Sequence, residues 1–247
     1  GGLIYLATEF DRLRDLSKAL SAAQKALQSN PEDTTIKILN AGVLYKLGKY
    51  DDAATLLKGV IQADPKNGPA HRMYAQILDS DLTGKRNRTE AEHFFLLALQ
   101  ISDKDADAAW RLANSCIEQN RNRQASYLLT LLLKSVPDSA AAREQLSKVS
   151  AKIGDLQISK EQAAIAQTLL KRNAEEAELK ANVERNQTSA EDHLALGKHF
   201  AKYGQYKPAL LELEATYNLN QVLGAAPLKD LYQTVGSPMP LYEISGK

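Results

Sequence analysis

The chain has 247 residues, and its 37 leucines and 35 alanines, both strong helix formers, make up about 29% of them. Valine and isoleucine together number only 18, which argues against a protein built from β-sheets. The 31 basic residues nearly balance the 30 acidic residues, which excludes a strongly basic nucleic-acid-binding surface as the organising feature. One cysteine cannot form an intrachain disulfide, and no stretch is apolar enough to predict a membrane span.

A fixed spacing relates markers along the chain, which is typical of a repeat architecture. Pro31 and Pro65 are 34 residues apart, and Pro137 follows after twice that spacing plus four residues. The second marker is an alanine expected within each second helix: Ala19, Ala53, Ala91, Ala125 and Ala209. The first four of these alanines are 34, 38 and 34 residues apart, so both markers place one four-residue insertion between Asp79 and Arg88.

The spacing predicts four helix pairs within residues 1–139, with the insertion near 80–87, and a further pair at 190–223. Glycines at Gly48 and Gly204 suit the tight turn inside a pair. The pattern resembles the tetratricopeptide repeat, in which an aromatic residue, Leu-Gly, a tyrosine, an alanine and a proline recur every 34 residues. This resemblance implies an all-α, right-handed superhelical solenoid of antiparallel helix pairs. Trp110 lies one place beyond the usual aromatic position, and Asp103 stands where proline is expected.

Residues 140–189 are predicted to form a degenerate repeat with an overlong second helix. Ala140 to Ile153 favours a first helix, Gly154 marks a turn, and residues 158–185 contain no proline or glycine. Two interpretations of the long helix stay open at this point. It is either a solvated helix between repeats or a docking surface, so oligomerisation is possible through 158–185.

The last residues, 224–247, are predicted to form a capping helix and an irregular tail. The capping helix is expected from Ala226 to Val235, with Pro227 near its first turn, and it would cover the last repeat. At the other end, Gly1 falls at the second position of a repeat, so we expect further helices before it.

The sequence predicts no catalytic site, cofactor or metal site. His193 and His199 are six residues apart and would face different sides of a helix, which is poor spacing for metal ligands. His71 and His193 occupy the aromatic packing position of the repeat, and Cys116 occupies a packing site where we expect a buried structural thiol. No Ser/His/Asp arrangement, phosphate-binding glycine loop or paired-cysteine motif is present.

The resemblance implies that the first helices of the pairs line a concave groove. Eight residues are candidates for binding a partner there: Ile38, Tyr45, Lys46, Arg72, Gln76, Trp110, Asn114 and Ile117. The apolar members would anchor a peptide, while Arg72, Gln76 and Asn114 would hydrogen-bond to its backbone or a carboxylate. For Tyr45 and Trp110, packing between repeats is an equally open interpretation.

These features predict a non-catalytic scaffold that binds a partner peptide or helix in the groove, within a larger complex or a longer protein. One alternative is a helical-repeat RNA-binding module. The 34-residue period and the near-neutral charge count against it, so no nucleic acid is expected. The other alternative is a regulatory region of an enzyme whose catalytic domain lies outside this sequence. The sequence predicts neither the identity of the partner nor a cellular compartment.

Overall fold

The computed structural model describes residues 2–12, 14–80 and 87–236. Every regular element within these ranges is an α-helix, and together the helices form the all-α helical repeat solenoid that the sequence predicts. In chain order the helices are α1 (Gly2–Arg12), α2 (Leu16–Ser29), α3 (Thr34–Lys46), α4 (Tyr50–Ala63), α5 (Gly68–Asp79), α6 (Arg88–Ile101), α7 (Ala106–Glu118), α8 (Asn122–Ser135), α9 (Ala140–Lys152), α10 (Leu156–Arg185), α11 (Ala190–Lys202), α12 (Tyr206–Leu219) and α13 (Gln221–Val235). Residues 81–86 of the predicted insertion, the predicted tail from residue 237 and any helices before Gly1 lie outside the described residues.

The helices pair as first and second members of successive repeats, from α1 with α2 to α11 with α12. The chain divides into two compact units, Gly1–Ala166 (unit 1) and Gln167–Lys247 (unit 2), and the boundary falls within α10. Unit 1 therefore holds α1 to α9 and the start of α10. Unit 2 holds the rest of α10 together with α11, α12 and α13.

The first helices from α3 to α11 share one way of beginning. A polar residue just before each helix accepts a backbone N–H from its first turn, which satisfies a donor that has no partner inside the helix. These capping residues are Asp33, Asn67, Asp105, Ser139 and Ser189. Because they fall at the same position of each repeat, the start of every one of these helices is set locally by the sequence.

In every pair whose turn the structure describes, a left-handed residue lies two places before the second helix. Gly48 and Gly204 adopt φ of +76° and +71° there, as the sequence predicts. Asn120 and Arg14 adopt the same conformation, with φ of +56° and +61°, at equivalent positions without a glycine. Asparagine tolerates this region because its short polar side chain can hydrogen-bond locally.

The core consists of alanine and leucine side chains between neighbouring helices rather than of one central mass. The alanines that mark the second helices are all buried: Ala19, Ala53, Ala91, Ala125 and Ala209. Small side chains at these positions allow the helices to approach closely. Larger apolar residues such as Leu57, Leu129 and Leu213 then fill the space on either side.

Three first helices are also joined to the turn that precedes their repeat. The ring Nε2 of His71 lies 2.9 Å from the carbonyl oxygen of Pro65, six residues earlier. Arg143 donates from Nε and Nη2 to the carbonyl of Pro137, at 3.0 and 2.8 Å. The ring of His193 makes the equivalent contact with the carbonyl of Gln187, at 3.1 Å. The same side-chain position therefore binds the same backbone carbonyl in three repeats.

The structure corrects the expected start of the capping helix. Helix α13 begins at Gln221, five residues before Ala226, because the Asn220 side chain accepts the backbone N–H groups of Val222 and Leu223. Pro227 consequently lies inside the helix rather than near its first turn. The long helix α10 has 30 residues and spans the predicted 158–185, and both interpretations of that segment stay predictions.

Candidate partner-binding surfaces

The eight candidate residues all lie on first helices of unit 1. Ile38, Tyr45 and Lys46 are on α3, Arg72 and Gln76 are on α5, and the α7 members are Trp110, Asn114 and Ile117. Lys46 is exposed and the other seven are half-buried. We call the surface formed by these eight residues the groove.

The apolar members of the groove are partly used for packing. Ile38 and Tyr45 contact the core cluster of α3, α4 and α5, and the Tyr45 ring meets Tyr50 edge-on with centroids 5.4 Å apart. Trp110 and Ile117 contact the cluster that extends from α5 to α9. Each side chain is therefore anchored on one side while part of its surface stays accessible, which fits both interpretations of Tyr45 and Trp110.

The charged members of the groove are paired within the protein. Arg72 lies 3.1 Å from an Asp105 carboxylate oxygen and 3.5 Å from Asp107. Gln76 donates a hydrogen bond to Asp107, and Arg111 also approaches that carboxylate, at 3.5 Å. These contacts join α5 to α7. The repeat pattern predicts that Arg72 and Gln76 bind a partner. In the structure, their polar atoms instead contact aspartates at the start of the neighbouring first helix.

A similar pair lies at the other end of the groove. The Lys46 ammonium group is 2.6 Å from an Asp11 carboxylate oxygen and joins α3 to α1. Because this lysine is half-exposed, the pair contributes little to stability and can exchange for another partner. Among the predicted polar residues, Lys46 is thus restrained but accessible.

Trp110 and Asn114 meet at a small pocket of about 180 Å³ on α7. Its other lining residues are Asp79, Arg111, Ser115 and Glu118. The Asn114 amide makes no side-chain hydrogen bond within the described ranges, so it can offer both a donor and an acceptor to a ligand. This is the place where the predicted residues come together with unused hydrogen-bonding capacity.

Unit 2 has its own pocket between α11, α12 and α13, with a volume of about 430 Å³. Lys198 and Lys202 line it beside the apolar surfaces of Tyr206 and Pro227. The two lysines occupy first-helix positions equivalent to Asn114 and Glu118 of unit 1. The same face of a repeat therefore carries different chemistry in the two units.

Another pocket, with a mainly apolar lining, lies on the second-helix side of unit 1, where the sequence predicts no binding site because the groove candidates all come from first helices. It lies between α6, α7 and α8, has a volume of about 400 Å³, and we call it the α6–α8 pocket. Its lining residues are Glu92, Leu96, Leu112, Cys116, Arg121, Arg123, Gln124, Tyr127 and Leu128. The signal that could have revealed it is a pair of apolar residues, Leu96 and Tyr127, at exposed second-helix positions.

A carboxylate network forms one end of this pocket. Glu92 accepts hydrogen bonds from Ser115, Gln119 and Arg121, the last at 2.7 Å. Burial by itself would raise the pKa of Glu92, but these hydrogen bonds together outweigh it and lower the pKa. Cys116 lies at the pocket wall, where burial raises the pKa of its thiol. At neutral pH the protein thus presents an ionised Glu92 and a protonated Cys116.

The described residues contain no group of three or more His, Cys, Asp or Glu side chains that could hold a metal ion. His71 is buried and stacks on Phe94 with ring centroids 5.6 Å apart, which is the packing role expected from its position. His193 contacts Glu212 at 2.6 Å and takes the equivalent place in its repeat. None of the helices within the described ranges is long and apolar enough to cross a membrane.

Comparison with known proteins matches part of the chain to a repeat family. Residues 13–78, about a quarter of the chain, match the family model described as tetratricopeptide repeat. No curated protein matches the chain in sequence.

Solved structures match much more of the chain than the family model does. The structure of PilW, described as a widely conserved type IV pilus biogenesis factor, is 20% identical, covers 95% of this chain and 97% of its own, and has a TM-score of 0.57. YrrB, described as a TPR protein with an unusual peptide-binding site, is 19% identical over 85% of this chain and 100% of its own, with a TM-score of 0.53. MamA is 14% identical over 70% of this chain and 92% of its own, with a TM-score of 0.54. At these identities the likeness establishes the fold alone.

Proposed function

We propose that the chain is a non-catalytic scaffold that binds a protein or peptide partner in the groove of unit 1, in keeping with its match to the tetratricopeptide repeat model and its helical repeat fold. The proposal rests on one observation above all. Trp110 and Asn114 line a pocket on α7 in which an aromatic surface lies beside an amide with unused hydrogen-bonding capacity. YrrB, which shares this fold, is described as having a peptide-binding site, and that description supports the same class of ligand here.

Groove residues whose polar groups are already paired within the protein are expected to contribute less to partner binding than the others. Arg72 and Gln76 hold Asp105 and Asp107, so a partner would gain little by displacing them. Trp110 would instead contact an apolar side chain of the partner, and the Asn114 amide would pair with its backbone N–H and C=O groups. Lys46, which is half-exposed, would favour a carboxylate at the far end of the bound segment.

The same contacts argue against the RNA-binding alternative. The groove cations Lys46 and Arg72 are each paired with aspartates of the same unit, which leaves little positive charge for phosphate groups. We therefore expect no mobility shift of single-stranded RNA at micromolar protein and low salt. A shift under those conditions that disappears at higher salt would favour the RNA-binding alternative.

Photo-crosslinking from single positions tests the groove directly. A benzophenone amino acid is placed at Asn114, and, as the matched control, at Thr130, which is exposed on the second-helix side of unit 1. In an extract of the cells that make the protein, we expect one partner to crosslink from position 114 and not from position 130. Crosslinking from position 130 alone would contradict the groove assignment.

A substitution then measures the contribution of the pocket to affinity. Asn114→Ala removes the amide without disturbing the core, and we expect it to weaken binding of the crosslinked partner about tenfold. Thr130→Ala is the control and should leave the affinity unchanged. Equal affinities for all three proteins would show that the Asn114 pocket takes no part in binding.

A further inference from the structure

The α6–α8 pocket combines a cavity with apolar side chains that are exposed to solvent. Leu96 is 47% exposed and Tyr127 is 69% exposed, and both line the 400 Å³ space above Leu112 and Cys116. Leu128 completes the lining and is buried. Single exposed apolar residues are common on protein surfaces, but several that converge on one cavity indicate a binding surface.

Comparison with the other repeats shows which residue types normally occupy the positions of Leu96 and Tyr127. The position of Tyr127 is taken by Ser21, Thr55, His93 and Glu161 in the other repeats of unit 1, and that of Leu96 by Gln24, Lys58, Thr130 and Ala164. All of these residues are exposed. Within unit 1, both positions are apolar only between α6 and α8, so the repeat itself does not require apolar residues there.

A pocket also exists at the equivalent place between α2 and α4, so the repeat fold itself leaves a cavity there. It has a volume of about 730 Å³, and its lining combines polar residues such as Gln24, Asn40 and Thr55 with three leucines, Leu27, Leu44 and Leu56. Residues 24, 40 and 55 correspond to Leu96, Leu112 and Tyr127. All three of these positions are polar in the α2–α4 pocket, so the fold does not require apolar side chains at positions 96, 112 and 127.

Charge at the rim indicates what kind of segment would fit. The Glu92 carboxylate is neutralised by Arg121 at 2.7 Å and receives further hydrogen bonds from Ser115 and Gln119. Arg123 is exposed and has no ion pair within the part of the chain that the structure describes. The rim therefore carries one uncompensated positive charge beside an apolar cavity.

We propose that the α6–α8 pocket is a second protein-binding site, which takes an acidic peptide segment of a partner. One leucine-sized or aromatic side chain of the segment enters the cavity and contacts Leu96, Leu112 and Tyr127. An aspartate or glutamate next to it pairs with Arg123. This site is formed by the second helices α6 and α8 together with α7, and it does not use any of the eight groove residues.

A phage-displayed peptide library, selected on the whole protein, tests this proposal. The counter-selection uses the double variant Leu96→Gln and Tyr127→Thr, which introduces the residues found at positions 24 and 55 of the same fold and should therefore remain folded. We expect enriched peptides that combine an apolar residue with an acidic one. Measured by fluorescence anisotropy, their Kd should rise about tenfold or more in the double variant and in Arg123→Glu.

The controls separate this site from the groove. Asn114→Ala should leave the Kd of these peptides unchanged, whatever it does to the groove partner. The proposal is overturned if no peptide depends on Leu96 and Tyr127, or if the enriched peptides are basic. It is also overturned if sedimentation shows a wild-type dimer that the double variant dissociates, because the occupant would then be a second copy of the chain.

Discussion

The two faces of unit 1 use their charged side chains differently. On the groove side, Asp107 accepts contacts from Arg72, Gln76 and Arg111, and its side chain is 38% exposed. On the other side, Glu92 gathers its donors at the end of an apolar pocket and is less exposed. On one face, therefore, a partly exposed carboxylate, Asp107, lies within a polar network. On the other, a less exposed carboxylate, Glu92, lies beside apolar surface.

Of the substitutions on the two faces, replacing Glu92 should cause the largest loss of stability. Glu92→Gln keeps the shape but removes the charge that Ser115, Gln119 and Arg121 contact, which should lower the free energy of unfolding by about 2 kcal/mol. Urea denaturation followed by circular dichroism measures the change. The matched control is Glu144→Gln, an exposed position on α9, which we expect to stay within about 0.5 kcal/mol of wild type. Equal effects of the two substitutions would show that Glu92 is no more important than a surface carboxylate.

The pH dependence of the same variant tests the ionisation state. Because the pKa of Glu92 is lowered in the folded protein, its contribution to stability is complete above the unfolded pKa of about 4.3. It is lost as the pH falls through the lower, folded pKa. The stability difference between wild type and Glu92→Gln should therefore be constant from pH 7 to about 5 and shrink below about pH 4. A difference that grows on acidification would mean that Glu92 is protonated in the native state.

Replacing Asp107 should have a smaller effect that depends on salt. Asp107→Asn weakens the contacts with Arg72 and Arg111, and because the carboxylate is partly exposed we expect a loss of about 1 kcal/mol. Most of that loss should disappear in 1 M NaCl, which screens exposed pairs, while the effect of Glu92→Gln should persist. Asp103→Asn, at an exposed residue, serves as the control. A loss that does not change with salt would remove the distinction between the two faces.

The smallest expected effect concerns the reactivity of Cys116. Burial raises the pKa of this thiol and it is only 3% exposed, so at pH 8 it should react with a disulfide reagent about tenfold or more slowly than the unfolded chain does. A single cysteine placed at the exposed groove position, Lys46→Cys in a Cys116→Ala background, provides the contrast and should react rapidly. Equal rates at the two positions would show that the α6–α8 pocket admits solvent freely to its wall.

The fold could be predicted from the sequence because its signals are local and repeat. Ala53 and Ala125 mark buried helix contacts, and Gly48 marks a left-handed turn, so spacing alone indicates the helix pairs. The start of α13 was predicted five residues too late because Pro227 suggested a first turn, whereas Asn220 provides the N-cap. Asn120 gives no comparable turn signal in the sequence, because asparagine is less diagnostic of a left-handed conformation than glycine.

The binding surfaces were less predictable because they depend on side chains from different repeats. The position of Arg72 on an exposed face followed from the repeat, but its ion pairs with Asp105 and Asp107 require the relative placement of α5 and α7. Which carboxylates the Arg72 side chain reaches depends on side-chain conformation at the contact between α5 and α7, which the repeat spacing does not specify. The α6–α8 pocket likewise becomes recognisable only when Tyr127 is compared with Thr55 at the same place in the fold.

The bond from a first helix to the carbonyl of the preceding turn has a consequence for local unfolding. Where His71, Arg143 or His193 makes this bond, the turn cannot fray without breaking a contact of the next helix, so neighbouring repeats should open together. At the equivalent position α7 carries Ala109, which has no side-chain donor. Hydrogen exchange should therefore find the turn before α7 to be the least protected of these junctions, and cooperative opening of the array should end there.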